Sequence, residues 1–210
     1  AAASGGGGAA SWKAWHAEND VSNIASLQRG ARNFMAYCAG CHSLKYQRYS
    51  RTAQDLAIPE EQFAQHLQPP GTRSTDYITT SLPQADAEAW FGKAPPDLSL
   101  IVRSRSADYV YQFLKTFHVD PSKPTGVDNL RLAGTAMPHV LSELEGVKKA
   151  VFKTAEHAGP DGTPVTEKVF DRFETLAPGR LTEAQYDEFV RDTVNFLDYV
   201  SEPAQAKRRA

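Results

Sequence analysis

Cys38-Ala39-Gly40-Cys41-His42 is the stretch around which the rest of the chain is organised. Two cysteines separated by two residues, with a histidine directly after the second, form the attachment pattern of a c-type haem. The spacing has a chemical reason. Each thiol must reach one vinyl group of the same porphyrin, and a short helical turn spans that distance. Linkage through both sulfurs sets the porphyrin beside the ring of His42, which takes one axial position on the iron. Cys38 and Cys41 are the only cysteines in 210 residues, so no further thiol is left to complete a zinc or iron–sulfur site. A thioredoxin-like dithiol would need a βαβ setting, and the flanking pattern does not supply one.

Working outward, Leu27, Ala31, Phe34 and Cys38 recur at helical spacing, which predicts a helix over residues 23–39 with Ser22 or Asn23 as its cap. Gly30 lies on that apolar face, where glycine costs roughly 1 kcal/mol against alanine and so points to a close backbone neighbour. A second strong helix is predicted near the C-terminus. Thr182 and Gln185 make a capping box, Tyr186, Phe189, Val190, Val194, Leu197 and Val200 form its apolar stripe, and Pro203 stops it. Burying that stripe against the Gly30 helix would close the fold around a haem.

Before the first of these helices, Trp12, Trp15 and His16 fall on a short helical piece. Residues 43–52 form a basic, tyrosine-bearing segment, residues 59–67 a short helix, and 68–89 a long polar loop. Residues 100–117 read as one helix and 118–136 as irregular chain. The turn Gly159-Pro160-Asp161-Gly162-Thr163-Pro164, flanked by apolar runs, signals a small β-hairpin insertion. The expected fold class is mainly α, with long loops. The expected organisation is a flexible segment over 1–11, one domain over 12–203 and a basic tail over 204–210.

The second iron ligand has few candidates. Of two methionines, Met35 precedes the attachment cysteines too closely to reach the opposite haem face, whereas Met137 lies far downstream beside Pro138. Methionine opposite histidine stabilises reduced iron and raises the potential. His139 is the rival ligand, and a pair of histidines would lower the potential. His16, His66, His118 and His157 read as surface or satisfied polar residues. Arg103 and Arg105 are both candidates for pairing with a haem propionate.

Composition bounds the partners. The net charge is −2 at pH 7 and the pI about 6.3, which gives nucleic acid no basic surface to follow. Residues 141–210 carry 10 Lys/Arg against 13 Asp/Glu, a weak steering field for a basic partner. No run of apolar residues is long enough to cross a membrane. No base, nucleophile or substrate pocket stands out, so the chain has no expected catalytic site of its own.

The Gly30, Phe34 and Cys38 spacing resembles the first helix of class I cytochromes c, and the wider pattern resembles the cytochrome c1 family. The match takes in Leu27-Gln28-Arg29-Gly30, the attachment motif with Ser43, Lys45-Tyr46 and Arg48-Tyr49, and Trp90 through Ala94-Pro95-Pro96-Asp97-Leu98-Ser99-Leu100-Ile101. It continues through Arg103, Arg105, Asp108 and Tyr109, then Ala136-Met137-Pro138, and closes with Val194-Asn195-Phe196-Leu197 and Ser201-Glu202-Pro203. The resemblance implies a class I cytochrome c fold and one covalently bound haem c, with thioethers on Cys38 and Cys41 and iron held by His42 and Met137. It implies that the Pro96 carbonyl accepts the outer ring proton of His42, and that Arg105 and Tyr109 lie beside the propionates. The implied task is electron transfer from a Rieske iron–sulfur protein to a cytochrome c. The chain would sit beside cytochrome b on the periplasmic side of a bacterial inner membrane, or the intermembrane-space side of a mitochondrial one. Family members continue into a single membrane anchor, which would follow the basic tail here. The alternatives are a soluble monohaem domain serving another oxidase or reductase, and a five-coordinate haem sensor or peroxidase.

Overall fold

Asn23 starts the first long helix: its side chain accepts the Ser26 backbone N–H at 3.1 Å and satisfies a donor the helix cannot. The computed structural model describes residues 12–158 and 160–204. Residues 1–11 and the basic Lys207, Arg208 and Arg209, for which a flexible start and a tail were expected, lie outside them. In chain order, a 3-10 turn at Trp12–Ala14 precedes α1 (Ile24–Tyr37), β1 (Leu44–Arg48), α2 (Tyr49–Asp55) and α3 (Glu60–His66). Next come β2 (Tyr77–Ile78), α4 (Gln84–Phe91), α5 (Ile101–Arg105), α6 (Ala107–Lys115), β3 (Phe117–Val119) and β4 (Val127–Asn129). The chain finishes with α7 (Ser142–Glu145), β5 (Gly146–Ala158), β6 (Pro164–Pro178) and α8 (Glu183–Ser201).

α1 and α8 carry the frame. A Cβ on Gly30 would stand 2.1 Å from the Asp192 carbonyl oxygen and 2.7 Å from Phe196 Cβ, so only glycine lets the two backbones approach this closely. Leu27, Ala31 and Phe34 from α1 and Val190, Val194, Phe196 and Leu197 from α8 are buried around that crossing, with the Phe34 and Phe196 rings 5.8 Å apart. The buried Asp192 carboxylate is satisfied from across the seam, by Ser26 Oγ at 2.6 Å and by Arg29 Nε and Nη2 at 2.6 and 3.0 Å. At the start of α8 the capping box forms as expected, Thr182 and Gln185 each accepting the other's backbone N–H.

The expectation of a mainly α fold is overturned. The structure is 41% helix and 21% strand, with three two-stranded antiparallel sheets among the described residues, β1–β2, β3–β4 and β5–β6. Most of the strand content is the β5–β6 arm, with strands of 13 and 15 residues rather than a small insertion. Val147, Val151, Phe152, Val165, Val169 and Phe170 give it the β-branched and aromatic density that suits a pleated surface. Irregularities between Val147 and Lys148 and between Val151 and Phe152 bend it near its base. There Phe170 is buried and Phe173 packs 6.5 Å from Trp15.

Four other stretches add to or differ from expectation. The segment 43–52 holds β1, and the loop 68–89 holds β2 and most of α4. The stretch expected to be irregular carries the β3–β4 hairpin. The helix expected over 100–117 breaks at Ser106, whose φ of +91° leaves the helical region. Its side chain then caps α6 by accepting the Tyr109 N–H at 3.2 Å. Among the described residues no helix is long and apolar enough to cross a membrane.

Candidate haem site

The attachment motif forms the turn that ends α1. Cys38 caps that helix with its N–H on the Phe34 carbonyl at 2.8 Å, and the Cys41 and His42 N–H groups both donate to the Cys38 carbonyl, at 3.0 and 2.9 Å. Both thiols are free. Burial pushes the Cys38 thiol up to about 12, with Cys41 adding to the effect, so the sulfur stays protonated at neutral pH.

Two other chain segments brace this turn. Thr80 Oγ1 donates to the Gly40 carbonyl at 2.7 Å and the Thr80 N–H to Ser43 Oγ at 2.8 Å. From the Pro-Pro-Asp block, the Leu98 N–H donates to the Ser43 carbonyl at 2.9 Å. Asp97 accepts the Lys45 N–H at 2.8 Å and the Ser99 N–H at 2.9 Å. These bonds hold the block against His42, whose Nδ1 lies 2.8 Å from the Pro96 carbonyl oxygen. A carbonyl only accepts, so Nδ1 carries the proton and the neutral ring keeps its lone pair on Nε2. Burial lowers the His42 pKa, partly opposed by the Pro96 bond and the Asp97 charge, which favours the neutral, ligating form.

Met137 sits on a loop, half-buried and packed against the main apolar cluster. Its N–H donates to Thr135 Oγ1 at 3.3 Å. Met35 is half-buried on α1. His139 is committed elsewhere. Its ring stacks on Phe117 with centroids 4.9 Å apart and planes 7° apart, and its Nε2 lies 2.8 Å from Glu145 Oε2.

Arg105 and Tyr109 are brought together, the guanidinium 5.4 Å from the ring centroid. Arg131 approaches the same ring more closely, at 4.4 Å. Arg103, Arg105 and Arg131 are all exposed. Sequence reasoning did not single out Arg131 or Thr80, because a lone guanidinium or hydroxyl in a loop carries no pattern. Asp97 had a readable signal, since Asp-Leu-Ser after a proline pair suits a side-chain turn of the kind it forms with Ser99. Of the histidines expected at the surface, His16, His66 and His157 are exposed and His118 is half-buried.

The donor set fits a covalently held haem better than a bare metal ion. Among the described residues no three His, Cys, Asp or Glu side chains converge to hold a metal. Two free thiols and an imidazole oriented by a carbonyl are the chemistry that thioether attachment and axial ligation require.

Comparison with known proteins gives the same direction. The model of the Cytochrome C1 family matches residues 15–150. Cytochrome c1 of Allochromatium vinosum is 44% identical over 189 residues, covering 90% of this chain and 75% of that protein. The ammonia monooxygenase gamma subunit of Nitrosomonas europaea is 36% identical over 190 residues, 90% of this chain and 74% of its own length. Mitochondrial cytochrome c1 of Saccharomyces cerevisiae is 28% identical over 204 residues, 88% of this chain and 58% of its own length. With the attachment turn, the Pro-Pro-Asp block and Met137 all inside the matched region, this chain belongs to the cytochrome c1 family, whose members carry a covalently bound haem c for electron transport.

Proposed function

We propose that the protein is the haem-bearing electron-transfer subunit of a quinol–cytochrome c reductase. It accepts one electron at a time from a Rieske iron–sulfur protein and passes it to a cytochrome c, next to cytochrome b, on the periplasmic or intermembrane-space face of the membrane. A relative in Candida albicans is named a cytochrome b-c1 complex catalytic subunit, which supports the assembly. The observation that carries the reading is the 2.8 Å contact between His42 Nδ1 and the Pro96 carbonyl, within an attachment motif of this family.

When bound, the haem supplies a one-electron iron couple. The chain's own residues do the rest. Cys38 and Cys41 would hold the porphyrin through thioethers. His42 presents Nε2 with its ring orientation fixed by Pro96, so ligation demands little rearrangement. Met137 would supply the second ligand, a thioether, and Arg105, with Tyr109 beside it, would offer a guanidinium to a propionate carboxylate.

Affinity purification of the tagged protein from detergent-solubilised membranes of its native cells tests the assembly. Recovery of a b-type cytochrome and an iron–sulfur protein, with quinol-dependent reduction of added cytochrome c, is the expected result. Recovery of the tagged haem protein alone, without that activity, would contradict it.

A further inference from the structure

We propose that His139 is the positioning residue for the Met137 loop, held in a clamp formed by Phe117, Glu145 and Lys148 at the base of the β5–β6 arm. The inference rests on the reading of Met137 as an iron ligand. From Leu130 to Val140 the chain has no helix or strand, so its course near Met137 depends on what fixes its ends. On the far side of Met137, Pro138 restricts the backbone and His139 enters the core.

The clamp is nearly dry. The side chain of His139 is 8% exposed and that of Glu145 11%. The imidazole lies flat on Phe117 at 4.9 Å, a ring that is itself buried and also packs 5.1 Å from Phe113 of α6. Glu145 stands between two nitrogens, with His139 Nε2 at 2.8 Å on one oxygen and Lys148 Nζ bonded to the other. Lys148 is fixed in turn by the Lys115 carbonyl at 2.6 Å and by the Phe173 ring, 4.3 Å from its ammonium. The His139 carbonyl accepts the Ser142 N–H at 3.2 Å, which ties the loop into α7.

The loop end is therefore joined to α6, α7 and both strands of the arm through one imidazole. Glu145 is fixed by the buried Lys148 ammonium, which would lose its carboxylate in this dry site if Glu145 moved, and that holds the wall beside the His139 ring. A ring so engaged serves as an anchor for its neighbour two positions earlier, and the arm's base serves as the wall the anchor is set in.

The test uses the matured holoprotein and three variants, Met137→Leu, His139→Leu and Glu145→Gln. The oxidised protein is followed by its weak red methionine–iron band during warming, and the reduced protein by carbon monoxide binding. Met137→Leu should abolish the band. His139→Leu should keep the band at low temperature, lose it well before the helical signal melts, and bind carbon monoxide about tenfold faster. Glu145→Gln should shift both readouts the same way by a smaller factor, and stands in if His139→Leu does not accumulate. His139→Phe, which keeps the stack on Phe117, should recover part of the loss. An unchanged spectrum in Met137→Leu removes the ligand reading and the clamp together. A band that disappears in Met137→Leu but melts normally in both His139→Leu and Glu145→Gln removes the clamp alone.

Discussion

The two sides of the haem site are built differently. On the His42 side, the attachment turn closes a long helix and is bonded to two further segments, through Thr80 and through Pro96, Asp97 and Leu98. On the Met137 side the proposed ligand lies on a loop without helix or strand, packed against the apolar cluster and tied mainly near its ends. Before Met137, Asp128 accepts the Gly134 N–H at 2.7 Å, and Asn129 accepts the N–H groups of Arg131 and Leu132 at 2.8 and 3.1 Å. After it comes the His139 clamp. The difference teaches a division of labour. The attachment side is part of the fold's frame, while the side proposed to supply Met137 is a tethered loop whose loss should leave the frame standing.

Breaking the frame should have the largest effect. Gly30→Val forces a side chain against the Asp192 carbonyl oxygen, 2.1 Å from an ideal Cβ, and should cost about 3 kcal/mol or more in denaturant unfolding. The His42 side should go with it. Met137→Leu should do the reverse. The reduction potential should fall strongly and the reduced iron should open to carbon monoxide, while unfolding shifts by less than about 1.5 kcal/mol, as for other volume-conserving swaps. If Met137→Leu unfolds the protein as readily as Gly30→Val, the division is wrong.

Acid should also separate the two sides. Burial alone would raise the Asp128 carboxyl, yet the Asn129 and Gly134 N–H groups and the Lys123 ammonium outweigh it and hold the group below its ordinary value of 3.8. A carboxylate whose folded pKa is depressed contributes in full above its unfolded value, and that contribution is lost as pH falls through the folded one. Below pH 3.8 the red band should therefore fade reversibly before helix content does, and Asp128→Asn should show the loosened loop at neutral pH. The smallest effect expected is on a brace of the stronger side. Thr80→Val removes the bond to the Gly40 carbonyl at 2.7 Å and should cost about 1 kcal/mol in thermal unfolding with the visible spectrum unchanged.

What the sequence made legible follows the same divide. Asn23, Gly30 and the Thr182 and Gln185 pair announce α1, α8 and their crossing, because caps and a forced glycine are local signals. The attachment motif is equally local. The closeness of Pro96 to His42 came from a resemblance, since nothing in a proline pair says which donor its carbonyl meets. The break at Ser106 left no mark, as the apolar periodicity runs through it and a serine at positive φ has no signature. The arm's turn was readable but not its reach, because an exposed two-stranded ribbon lacks the one-sided alternation that fixes a strand's length. The stacking of His139 on Phe117 joins residues from separate elements, and no spacing rule encodes it.

X-ray absorption at the iron edge of the oxidised holoprotein tests the central claim most directly, because it counts the atoms bonded to the metal. The account predicts porphyrin and imidazole nitrogens plus a single sulfur, with that sulfur absent in Met137→Leu. A shell of nitrogens alone in the wild-type protein, or a sulfur that survives the substitution, would contradict it.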